Sequence, residues 1–238
     1  MNIPAFNNKD CGSCPIRHQA VCSRCEQDEL AVLDSIKFYR SFEAGQPVIW
    51  AGDPLDFVAS VVVGVASLSQ TMEDGRVQVT GLLLPSDFLG WPGRSAAVYD
   101  VTAVSDLTLC CFRRHPFEEL LESTPNIGQR LLQMTMDELD AARDWMVVLG
   151  RKTAREKIAS LITIFVRREA HLQKVETPDG TSFDLPLTRE AMANYLGLTL
   201  ETVSRQISAL KRDKVILLKS KRRIMVPDFS KLLVESGD

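Results

Sequence analysis

Cys11, Cys14, Cys22 and Cys25 fall within the first twenty-five residues, and Cys110 and Cys111 stand far downstream in an otherwise cysteine-free chain. Cysteines two residues apart let two thiolates reach one metal centre from a single turn, so the set reads as a zinc or iron–sulfur site. The fourth donor separates the two. Cys11, Cys14, Cys22 and Cys25 would close a local zinc knuckle, whereas a remote cysteine would tie the segment to the body of the protein around a cluster. The surrounding Asn, Lys, Gly, Ser, Arg and His residues predict no apolar face in which the thiols would simply pack. A dithiol switch, with His18 raising the reactivity of a neighbouring thiolate, is a third chemistry open to the same residues.

The 238 residues, 45% apolar and 25% charged, have the composition of a globular protein of one large or two ordinary domains. Met1–Asp10 contains neither a basic segment nor an apolar run, and no stretch approaches the roughly 18 consecutive apolar residues of a membrane span. This predicts a cytoplasmic protein with no membrane partner, in whose reducing surroundings six cysteines would not form a disulfide framework. His18, His115 and His171 lie in unrelated segments, and neither a phosphate-binding glycine loop nor a nucleophile motif is present, so no enzyme is expected. The net charge of -3 conceals an asymmetry: residues 151–238 hold 17 Lys and Arg against 11 Asp and Glu, whereas residues 1–150 hold 11 against 20. The basic third is the part expected to meet a polyanion.

Elements that could position the cysteines follow directly. Glu26–Ile36 carries Leu30, Leu33 and Ile36 at helical spacing. Beyond it come short runs rich in Val, Leu and Thr at Val48–Trp50, Phe57–Val63, Val77–Leu84, Val98–Val104 and Leu107–Phe112, separated by turn signals such as Glu73-Asp74-Gly75. Such spacing predicts a small β-roll or barrel. From Pro125 to about Gly150, Leu132, Thr135, Leu139, Ala142, Met146 and Leu149 recur at alternating intervals of three and four, a heptad seam that predicts a parallel helix pair between two subunits of a homodimer. A further helix, Arg151–Arg168, opens a separate domain. The expected organisation is α+β: a cysteine-rich segment (1–29), a β-roll (30–124), a dimerisation helix (125–150) and a C-terminal domain (151–238).

That C-terminal domain contains TREAMANYLGLTLETVSRQISAL, Thr188 to Leu210. A helix to Leu196, a left-handed turn at Gly197 and a second helix capped by Thr199, with Leu196, Leu198, Val203, Ile207 and Leu210 as shared core, describe a helix-turn-helix. Glu201, Ser204 and Arg205 share one exposed face near the amino end of the second helix, where base edges are met in the major groove. Arg205 can contact guanine O6 and N7 bidentately, and Glu201 can accept from cytosine N4. Lys219, Lys221, Arg222 and Arg223, between Val215–Leu218 and Ile224–Val226, look like the charged tip of a two-stranded wing that grips phosphates. Thr199, Lys221 and Arg222 complete the residues expected to face double-stranded DNA.

Taken in order, these elements resemble the CRP/FNR family of transcription regulators over nearly the full length. The segment GLTLETVSR, Gly197 to Arg205, is similar to the recognition helix of FNR-type members, which implies a two-fold target of the TTGAT-N4-ATCAA kind. CGSCPIRHQAVCSRC resembles the alphaproteobacterial FnrL and FnrN branch, whose first three cluster ligands fall here on Cys11, Cys14 and Cys22; Cys25 is a rival third ligand. The resemblance places the remote ligand on Cys110, and strand alternation agrees, with Leu107, Leu109 and Cys111 pointing one way and Thr108, Cys110 and Phe112 the other. It also implies a 4Fe-4S cluster that oxygen converts to a 2Fe-2S form and then destroys, a homodimer that binds DNA and recruits RNA polymerase when oxygen is low, and control of anaerobic genes. A cyclic-nucleotide-responsive member of the family is the alternative. Arg94-Ser95-Ala96 superficially resembles its phosphate clamp, but Ser86-Asp87 stands where that pocket wants Gly-Glu.

Overall fold

The computed structural model describes residues 11–75, 77–173, 175, 179–220 and 222–237. The carboxylate of Glu29 accepts the amide of Glu26 at 2.7 Å, which starts helix α1 (Gln27–Ile36) directly after the last clustered cysteine. Eight strands follow: β1 (Lys37–Phe42), β2 (Pro47–Ile49), β3 (Phe57–Val63), β4 (Ala66–Thr71), β5 (Val77–Leu83), β6 (Phe88–Leu89), β7 (Asp100–Ala103) and β8 (Leu107–Arg113). They form two antiparallel four-stranded sheets, ordered β1-β8-β3-β6 and β2-β7-β4-β5.

Between the sheets lies an apolar core that includes Val61, Leu68, Leu83, Leu89, Val101, Leu109 and Cys111. The other face of the first sheet is covered too: Val58, Val62, Cys110 and Phe112 pack with Leu33 of α1 and with Phe117 and Leu120 of α2 (Arg114–Ser123). Strand β8, flanked by β1 and β3, is therefore buried on both faces, which is why its sequence LTLCCF is apolar at every position but Thr108.

Helix α3 (Pro125–Arg151) is separated from α4 (Ala154–Leu172) by a second capping box, in which the amide of Thr153 donates to Glu156 at 2.6 Å and the amide of Glu156 to Thr153 at 3.4 Å. Beyond α4 come β9 (Ser182–Asp184), α5 (Arg189–Leu196), α6 (Leu200–Arg212), β10 (Leu217–Leu218), β11 (Arg223–Met225) and α7 (Phe229–Ser236). The chain divides into two compact units, one through Asp140 and one from Ala141 onward. Among the described residues no helix is long and apolar enough to cross a membrane.

Four elements of the first unit have no counterpart in the sequence expectation: β1, β4, β6 and α2. In β1, KFYRSF, the basic Lys37 and Arg40 hide the alternation; β4, ASLSQT, is too polar to stand out, although Ala66 to Ser69 are all buried. Pro116 argues against a helix from sequence, yet it sits in the first turn of α2, where its missing N–H breaks no helical bond. In the second unit β9 joins β10 and β11, so the expected two-stranded wing is a three-stranded sheet.

One glycine fixes where β8 begins. Gly64 has φ +88, and a Cβ there would lie 2.0 Å from the carbonyl oxygen of Asp106, immediately before the strand. Gly64→Ala should destabilise the first unit by roughly 2–4 kcal/mol, combining left-handed strain with displaced backbone. A denaturant midpoint indistinguishable from the parent's would refute this close fit.

Candidate functional site

The cysteines are presented by a series of tight turns. The amides of Arg17, Gln19, Ala20 and Ser23 donate to the carbonyls of Cys14, Ile16, Ile16 and Ala20 at 2.9–3.0 Å, and the Cys25 amide to the Cys22 carbonyl at 3.1 Å. This winding turns Ile16, Ala20 and Val21 inward, where each is at most 2% exposed against the outer face of the first sheet. The segment does have an apolar face, contrary to the expectation from its polar composition. Three residues spaced by four and one suffice once the chain is wound. Arg17 then closes the loop, its guanidinium donating to the carbonyls of Cys22 and Cys25, the latter at 2.8 Å.

Cys14 and Cys22, both half-buried, pack on the same apolar cluster that holds Cys25 and Cys110. Burial pushes the thiols upward, Cys11 to about 11 and Cys25 to about 12, and Cys14, Cys22 and Cys110 in the same direction. After burial, the charges that weigh most on Cys110 are those of Cys11, Cys14 and Cys22. Cys14, Cys22 and Cys25 thus share an apolar cluster with the remote cysteine. Cys111, also pushed up by burial to about 12, faces the interior of the roll, with its sulfur 3.9 Å from the Leu109 carbonyl. Cys25 stands on the same side as the other four, and its neighbours include Cys22, Glu29, Arg17 and Cys11.

Several groups favour thiolate over thiol against this burial. The amides of Ile16 and Arg17 face the sulfur of Cys14, and the charges of Arg17 and Lys37 reach Cys14 and Cys22. Lys37 of β1 donates to the sulfur of Cys11 at 3.2 Å. Among the described residues no three His, Cys, Asp or Glu side chains are grouped as ligands of a single metal ion. A multi-iron cluster asks less of each pair, because its thiolates bind separate irons at different corners. Buried and half-buried thiols in an apolar recess, with backbone amides facing Cys14 and Lys37 donating to Cys11, fit such a group, and loading it would displace their protons.

This recess is fastened to α3. Arg130 donates to the carbonyls of Gln19 and Ala20, the latter at 3.5 Å, and to Gln133 at 3.2 Å; Arg24 reaches the same Gln133 oxygen at 2.8 Å. Asn126 donates to both carboxylate oxygens of Glu29 at 3.1 Å. Ile127 is fully buried in the cysteine-side cluster, and Leu131 and Met134 pack against it. None of these α3 anchors was singled out from the sequence.

Farther along α3, Leu132, Met136, Leu139 and Met146 are 60%, 50%, 42% and 72% exposed, and Ala142 is exposed as well. Among the described residues, the side chains of the expected seam are therefore left uncovered, except at Leu149, which is half-buried. Met136, outside the expected seam, extends it. Trp145 and Val148 are buried instead, and the Trp145 ring stacks on Tyr195 of α5 with centroids 4.7 Å apart.

In the second unit Thr188 caps α5 by accepting from the Ala191 amide, and Gly197 ends it in the left-handed region at φ 62. Thr199 caps α6, accepting from the Thr202 amide at 3.2 Å, so its side chain is engaged in starting the helix. Val203, Ile207 and Leu210 are buried; Glu201, Ser204 and Arg205 are exposed on the opposite face. At the wing tip, the amides of Arg222 and Arg223 donate to the Ser220 hydroxyl, and the Arg223 guanidinium is drawn to Ser182 and Asp184 of β9. Arg222 is exposed, and Lys221 lies outside the described residues.

Two family models match, a cyclic nucleotide-binding domain over residues 39–124 and a Crp-like helix-turn-helix domain over residues 156–234. Transcriptional activator protein FnrL of Cereibacter sphaeroides is 67% identical over 228 residues, covering 96% of this chain and 92% of that protein. A probable transcriptional activator of Rhizobium leguminosarum is 38% identical, covering 93% and 91%. Among solved structures, FixK2 from Bradyrhizobium japonicum superposes with a TM-score of 0.74 at 29% identity, covering 84% of this chain and 96% of that one. Roll, exposed α3 seam, helix-turn-helix and full-length similarity together establish that the chain belongs to the CRP/FNR family of transcription regulators, with FnrL-type relatives.

Proposed function

We propose that the protein is an oxygen-responsive transcriptional activator in which Cys11, Cys14, Cys22 and Cys110 hold a 4Fe-4S cluster. The observation that carries this reading is that amino-terminal cysteines share one apolar cluster with Cys110 of the central strand β8, in a recess hydrogen-bonded to α3. When bound, the cluster supplies a centre that oxygen destroys. Everything downstream is done by the chain itself.

Four ligands from two parts of the chain tie the segment to the sheet, which orders Gln19 and Ala20, the carbonyls on which Arg130 rests. Ordered there, α3 presents Leu132, Leu139, Ala142 and Met146 to the same face of a second copy. A homodimer then sets two α6 helices on the halves of a TTGAT-N4-ATCAA site, with Glu201, Ser204 and Arg205 on base edges and Arg222 and Lys221 on phosphates, where the bound dimer recruits RNA polymerase. A monomer reads one half-site and loses most of the affinity. A nucleotide effector fits less well: at the turn where such a pocket needs Gly-Glu, the Asp87 carboxylate closes its own turn by accepting from the Leu84 amide at 2.8 Å.

Anaerobically purified protein should be brown, contain iron and sulfide, and bind the two-fold site; admitting air should bleach it and weaken binding at least tenfold by breaking the dimer. Affinity unchanged by bleaching would refute oxygen control. Cys110→Ala should abolish the visible absorption, whereas Cys25→Ala keeps it; the reverse result would put Cys25 in the place of Cys110, a ligand set local to the amino terminus, and leave β8 without a role. Arg130→Ala should retain the chromophore while the dimer dissociates roughly 5- to 150-fold more readily, the span of ordinary coupling energies. Equal sedimentation of loaded parent and loaded Arg130→Ala would show that these hydrogen bonds transmit nothing.

A further inference from the structure

Lys37 opens β1, where its register sets it opposite Phe112, two residues beyond Cys110 on β8. Its ammonium donates to the sulfur of Cys11 at 3.2 Å, pairs with the Asp34 carboxylate one helical turn before it, and lies 5.8 Å from the centre of the Tyr39 ring. The lysine side chain is only 7% exposed, whereas Asp34 is 45% exposed. An ammonium withdrawn from water to this degree is costly unless anions surround it. The Asp34 carboxylate paired with it is half-exposed, and a neighbouring group that becomes an anion on loading is the Cys11 sulfur, to which the ammonium already donates.

We infer that Lys37 is a positioning residue of the metal centre: it donates a charge-assisted hydrogen bond to the Cys11 thiolate and offsets the negative charge of the thiolate set, holding the cluster against loss of iron. Asp34 pairs with the ammonium from the solvent side and also faces the Cys11 sulfur, where its carboxylate opposes the thiolate that Lys37 favours. Arg17 has a different task, since its guanidinium is engaged with the carbonyls of Cys22 and Cys25. Arg17 lends its charge to Cys14 and Cys22 while its hydrogen bonds go to the backbone, whereas Lys37 hydrogen-bonds a sulfur directly. The inference rests on the cluster reading above.

The full-length protein and its Lys37→Met, Lys37→Gln and Lys37→Arg variants would be reconstituted without oxygen and assayed for iron and sulfide. Iron transfer to a ferrous chelator and the iron–sulfur stretching bands in resonance Raman would then be compared. Lys37→Met should release iron roughly tenfold faster or more, with a shifted iron–thiolate stretch; Lys37→Gln should fall between, and Lys37→Arg should approach the parent. Equal release rates and identical bands for loaded parent and loaded Lys37→Met would overturn the role of Lys37. Should Lys37→Met fail to fold, judged by circular dichroism of the metal-free chains, the same two outcomes are read on Lys37→Gln. A parent that takes up no iron or sulfide overturns the cluster reading itself, and Lys37 with it, which is distinguishable from a loaded parent matched by its variants.

Discussion

Burial of β8 on both faces is the constraint from which the site follows. Adjacent strand residues must point to opposite sides, so Cys110 and Cys111 cannot share an environment. The interior of the roll claims Cys111 along with Leu107 and Leu109, and the outer face receives Cys110 along with Phe112. Because β1 and β3 hold β8 in register on either side, a slip of one residue would bury Phe112 in the roll and turn Leu109 outward, at the cost of both cores at once. A cysteine so fixed is a firm point against which a segment wound from short turns can pack.

The long helix divides its faces along its length. Near its start, Ile127, Arg130, Leu131, Gln133 and Met134 face the cysteine segment through packing and hydrogen bonds. Near its end, within the second unit, Trp145 and Val148 are buried, with Trp145 stacked on the helix that precedes the recognition helix. What is left over, Leu132, Met136, Leu139 and Met146, faces solvent as an apolar stripe, the arrangement expected of a surface that awaits another helix.

Much of this was legible in the chain because the signals are local. Gly197 between two apolar-periodic runs, Thr188 and Thr199 as caps, and the alternation around Cys110 each depend on a few neighbouring residues, and α5, α6 and β8 lie where those residues put them. The parts that escaped notice depend on distant partners. Arg130 looks like an ordinary charge on an exposed helix until the carbonyls of Gln19 and Ala20 are brought to it, and Lys37 looks like a solvated lysine until β1 pairs with β8. Ile16, Ala20 and Val21 were overlooked for a related reason: their shared face exists only after the turns between the cysteines are wound. Composition describes a segment before it folds, and this one acquires its apolar side by folding.

The composition of the α3 seam bears on why so modest a link could control assembly. In a heptad reading Leu132, Leu139 and Met146 take one inner position, while the alternate position is held by Thr135, Ala142 and the half-buried Leu149. Burying each of the large side chains fully is worth about 1.5–3 kcal/mol, but Thr and Ala add little. Loss of translational and rotational freedom opposes association by an estimated 4–15 kcal/mol. The seam therefore comes close to balance, and a coupling of about 1–3 kcal/mol, the ordinary size for linked sites, is enough to tip it. A stronger seam, with Leu in place of Thr135 and Ala142, would pair whether or not the cysteine recess were ordered, and the recess could then no longer govern it. On the function proposed here, the small residues in the seam are what leave the sensor a decision to make.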